Sequence, residues 1–93
     1  MSVETINVQD VEVTLDTALF DDFAMLRLLA KAQKGDLVAV SDIADKILGE
    51  EQVERVMGKL ATDGVCHVED MSVFVFECIN AAAEAVRAGE GKN

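Results

Sequence analysis

The chain contains no Pro, Trp or Tyr, and its only aromatic residues are four Phe. The missing Pro excludes a polyproline linker, and the missing Trp and Tyr, with only four Phe, point away from a platform for stacking bases, so the composition leans toward helices. Cysteine is scarce. Cys66 and Cys78 allow at most one bridge and lack the close pairing of a zinc ligand set, which reads as two reduced, buried thiols. Basic residues are few as well: eight Lys and Arg stand against 18 Asp and Glu, a formal charge of −10 that repels phosphate backbones and anionic lipid alike. Neither nucleic acid nor a membrane is an expected partner. No apolar run approaches the roughly 18 residues of a membrane span, and Met1-Ser2-Val3-Glu4 lacks the basic start of a secretory signal, so the expected location is the cytoplasm.

What is present is apolar material, 51% of the 93 residues, which is enough to offset the ordering entropy of one small domain. At this length only about 60 to 65% of the unfolded chain's surface is buried on folding. The alternation in Val11-Glu12-Val13-Thr14-Leu15, with Ile6 and Val8 before it, predicts an extended arm over residues 1–15. No hairpin partner is evident, so the arm is expected to pair elsewhere or with another copy.

Helical spacing predicts a first helix capped by Asp16 or by Asp21, carrying Phe23, Leu26, Leu29 and Ala30 on one side and Met25, Leu28 and Ala32 on another. That helix should be largely buried, and Gly35 should stop it. A second helix, from Asp36 or Ser41 to Leu48, ends at Gly49; a third runs through Val53, Val56, Met57 and Leu60 until Asp63-Gly64. The last, from about Glu69 to Ala88, places Val73 and Phe76 in line with the polar residues Glu77, Asn80, Glu84 and Arg87. The expected fold is therefore all-α, a small bundle of about four helices over residues 16–88, with the extended N-terminal arm before it and a flexible tail at 89–93.

Catalysis finds little support. His67 is the single histidine, and its neighbour Cys66 would point the opposite way in an extended segment. The acidic pairs Asp21-Asp22 and Glu50-Glu51 sit at helix starts, where capping and dipole effects explain them. Glycines act as helix punctuation, so no phosphate cradle, cofactor or metal site is expected. The reading is of a non-enzymatic protein. Four short helices cannot enclose every apolar side chain, and the surplus, assigned to Phe20, Phe23, Val73 and Phe76, is expected to contact a protein partner.

Two resemblances bear on the function. Ser41 to Val68, with Ser41-Asp42-Ile43-Ala44-Asp45-Lys46-Ile47-Leu48-Gly49 and then Asp63-Gly64-Val65, resembles a winged helix-turn-helix, which implies a transcriptional regulator or protein-binding adaptor. Glu50, Glu51 and Glu54 give its recognition helix the wrong sign for DNA. Phe20 to Ala88 resembles the small tail assembly chaperones of long-tailed bacteriophages, especially those of Gram-positive hosts. The landmarks are Asp21-Asp22-Phe23 with Leu26, Leu28 and Leu29, then Leu48-Gly49-Glu50-Glu51-Gln52, Leu60, Asp63-Gly64, and Met71-Ser72 with Phe74 and Ile79. Members commonly carry Trp where this chain has Phe23. This resemblance implies a helical protein that binds the tape-measure protein and keeps it soluble until tail tube subunits polymerise around it. It also implies contact with the tail tube protein, self-association, and absence from the finished virion.

Overall fold

A computed structural model describes residues 3–90. Its order is β1 (Val3–Val8), β2 (Val11–Asp16), a 3-10 turn (Thr17–Asp21), α1 (Phe23–Gln33), α2 (Leu37–Leu60) and α3 (Val68–Glu90). The expected all-α bundle is therefore corrected to an α+β fold, three helices with a two-stranded antiparallel sheet. The body measures 47 × 28 × 18 Å, room for two layers across its thin dimension.

The extended arm is in fact a hairpin, in continuous register from Val3↔Asp16 to Val8↔Val11. Its turn residues Gln9 (φ 52°) and Asp10 (φ 62°) both adopt the left-handed conformation of a type I′ turn, whose twist matches that of the paired strands. Alternation then sorts the side chains: Val11, Val13 and Leu15 are buried, whereas Glu12 and Thr14 face water. On β1 only Val8 is buried and Ile6 half-buried. The sheet lies with β1 against α3 and β2 against α2, so it supplies one wall of the core.

Both expected helix starts are used in modified form. Asp16 accepts from the Ala18 N–H at 2.9 Å to open the 3-10 turn, and Asp22, rather than Asp21, accepts from the Ala24 N–H at 2.9 Å to open α1. α1 buries only Met25 and Ala32. Phe23, Leu26 and Ala30 are exposed, so the expectation of a largely buried helix fails on that side. Gly35 (φ 95°) ends the helix with the Asp36 N–H donating to Lys31 O, and the Asp36 carboxylate at once caps α2 through the N–H groups of Val38 and Ala39.

The expected second and third helices form one element, α2, broken internally at Gly49, where φ 80° and ψ 159° lie in a region essentially reserved for glycine. Gly58, in the same element, has open space where a Cβ would stand and an ordinary helical φ. Ala should therefore act oppositely at the two sites. Gly49→Ala is expected to lower stability by about 1–3 kcal/mol, and Gly58→Ala to raise it by about 0.5–1 kcal/mol, measured as shifts in the urea midpoint at constant slope.

After α2, Thr62 and Val65 form a single bridge around Asp63 (φ 54°) and Gly64 (φ 81°), where a wing would need two strands. α3 is helical throughout Met71 to Phe76 and continues to Glu90, two residues into the expected tail; residues 91–93 of that tail lie outside the described residues. Phe74, Val75, Cys78 and Ala82 are fully buried at the centre of the core, with Met25, Ile43, Val56 and Val13 around them. Among the described residues no helix is long and apolar enough to cross a membrane.

Candidate partner-binding groove

The break at Gly49 has a geometric consequence. In an unbroken helix, Val38 and Met57 would stand about 28 Å apart along the axis at 1.5 Å per residue. Here both line one open groove of about 420 Å³. Leu37, Val38, Ser41, Ala44 and Asp45 form one wall, Val53 and Met57 a second, and Cys66, Val68, Met71 and Ser72 the third. The first wall spans about two helical turns.

The groove is apolar and wet. Val38 is 71% exposed, Val68 59%, Leu37 57% and Met57 44%. Its polar groups are sparse and distinct. Ser72 Oγ is buried with no hydrogen-bond partner, and Asp45 has no ion pair among the described residues. A buried hydroxyl left unpaired costs on the order of 1–3 kcal/mol, and this one is sealed from the groove by its neighbours. Asp45 favours an occupant with a cation at its edge.

The groove offers no activated nucleophile. Both cysteines are free, Cys78 buried and Cys66, contrary to expectation, only half-buried in the groove wall. Burial, and then the Asp70 carboxylate, pushes the Cys66 thiol up. Burial, and then Glu77, pushes Cys78 up to about 12. Each thus holds its proton at neutral pH, where a nucleophilic cysteine would need the thiolate. Among the described residues no group of three or more His, Cys, Asp or Glu could hold a metal ion.

The four residues assigned to partner contact lie outside the groove. Phe23, the first residue of α1, is 72% exposed, and Val73 on α3 is 48% exposed. Phe76 is half-buried against the core, and Phe20 is half-buried in a hollow with Ala83, Val86 and Arg87. Sequence reasoning missed Leu37, Val38, Val53, Met57, Val68 and Met71 as a set. One signal was available: Val38 falls off the buried Val40, Ile43, Ala44 and Ile47 stripe at the start of its helix.

The chain was compared with protein-family models, curated proteins and solved structures, and none of the three gave a match.

Proposed function

We propose that this chain is a non-catalytic holding protein of the phage tail assembly chaperone kind, and that its groove takes an amphipathic helical segment of the tape-measure protein. The observation that supports this is the groove itself. Two arms of a broken helix and the start of α3 present exposed Leu37, Val38, Met57 and Val68 on a chain of net charge −10. An apolar trough two turns long suits the apolar face of a helix, with flanking cations set by Asp45. The acidic remainder keeps the unoccupied protein soluble.

Holding of this kind works by mass action: a chaperone present at 100 times its dissociation constant stabilises the held state by about 2.7 kcal/mol, with no nucleotide. Polymerising tail tube subunits would then displace it, which places its action in the host cytoplasm and leaves it out of the virion. A winged-helix regulator is the weaker reading, because the turn at Asp63-Gly64 carries one bridge and the following helix opens with Glu69 and Asp70. Co-expression with a tape-measure fragment tests the proposal. The soluble fraction of the fragment should rise several-fold, and an unchanged fraction overturns it.

A further inference from the structure

A two-stranded sheet has two edges, and this one treats them differently. The turn closes on Val8↔Val11, so alternation makes Ile6↔Val13 and Glu4↔Leu15 the pairs that exchange ladder bonds. The N–H and C=O groups of Glu12 and Thr14 therefore point out of β2, and those of Val3, Thr5 and Asn7 out of β1. On the β2 side three of these four are taken. The Gln52 carboxamide accepts from the Thr14 N–H at 2.8 Å and donates to Thr14 O at 2.7 Å, standing in for a neighbouring strand. Arg55 Nη2 donates to Glu12 O at 2.6 Å.

On the β1 side no described residue bonds to the outward backbone groups of Val3, Thr5 or Asn7. The edge also lacks most of the usual devices against strand addition. It carries no Pro, no Lys and no bulge, and its one guard is Glu4, a charge that shares the parity of Ile6 and Val8 but lies exposed near the open end of the strand.

We infer that the outer edge of β1 pairs antiparallel with the same edge of a second copy, about a two-fold axis through Thr5, to make one four-stranded sheet across a dimer. The register argument selects this occupant. Self-pairing about Thr5 sets Thr5 opposite Thr5 and Val3 opposite Asn7, so every outward residue of the strand exchanges ladder bonds. Glu4 then faces Ile6, and no two charges meet. An axis at Glu4 instead opposes two carboxylates, and an axis at Ile6 leaves Val3 without a partner inside the strand. Six residues with uncharged outward side chains are thus self-complementary in one register.

The remaining opposition is long-range, because each copy carries −10. Added salt should screen that repulsion and tighten the dimer, the reverse of its effect on an attractive charged interface. Sedimentation equilibrium of the full chain is expected to show a concentration-dependent dimer, stronger at 0.5 M than at 0.05 M salt.

Thr5→Pro removes an N–H that makes no bond within the hairpin, at an edge position where Pro is tolerated. It should raise the dimer dissociation constant at least tenfold with an unchanged circular dichroism spectrum. Amide hydrogen exchange on the wild-type chain supplies a reading that needs no variant: protection of the Thr5 and Asn7 amides should rise with protein concentration. If Thr5→Pro fails to fold, that exchange result decides alone. A monomer at all concentrations, or an oligomer in which both amides exchange freely, overturns the inference. Neither result bears on the groove.

Discussion

Phe74→Ala should lower the unfolding free energy by about 3–5 kcal/mol, the cost of emptying a large aromatic site that its surroundings only partly refill. Phe74 is the largest side chain with no solvent exposure, and it joins α3 to a core that draws on β2, α1 and both arms of α2. A chain of 93 residues has a total of about 5–15 kcal/mol available, so the variant should be largely unfolded near 37 °C if the wild type lies at the lower end. Urea denaturation followed by circular dichroism checks this. The midpoint should fall while the slope holds, and a loss below about 1 kcal/mol would remove Phe74 from the centre of the core.

Val38→Asp is expected to act in the opposite compartment: client binding weakened about 10- to 100-fold, and folding stability unchanged or slightly raised. The side chain is 71% exposed, so its removal empties no core site. It also sits in the first turn of α2, just after the Asp36 cap, where a carboxylate gains about 0.3–1 kcal/mol from the helix dipole. Binding responds differently because the variant loses a buried Val contact, worth about 1.5–3 kcal/mol, and adds a charge to the wall that already holds Asp45. Titration of a tape-measure peptide by fluorescence anisotropy measures both variants needed. Phe23→Ser, outside the groove, should bind as the wild type does; the reverse pattern would return the partner site to the exposed face of α1.

These two experiments separate what could be read in the residues from what could not. The helical stretches were legible because apolar spacing, the cap at Asp36 and the stops at Gly35 and Gly49 are local signals, although the cap of α1 is Asp22 where Asp16 or Asp21 was expected. The hairpin was not. Its turn is Gln9-Asp10, and neither residue advertises the left-handed conformation as Asn-Gly does, so two strands looked like one arm. Of the four side chains assigned to a partner, Phe20 and Phe76 are half-buried and Phe23 and Val73 exposed, a division that helical spacing alone does not report. The groove escaped for a different reason: it depends on the angle between two arms of α2, and sequence periodicity reports the face of each arm but not their mutual direction.

The arms of α2 diverge at Gly49, and Gln52, three residues on, donates to Leu48 O at 2.7 Å across the joint while also bonding the Thr14 backbone, so the first arm and the sheet together fix where Val53 and Met57 stand relative to Leu37 and Val38. A trough whose spacing is fixed before anything enters it gives up little conformational freedom on filling.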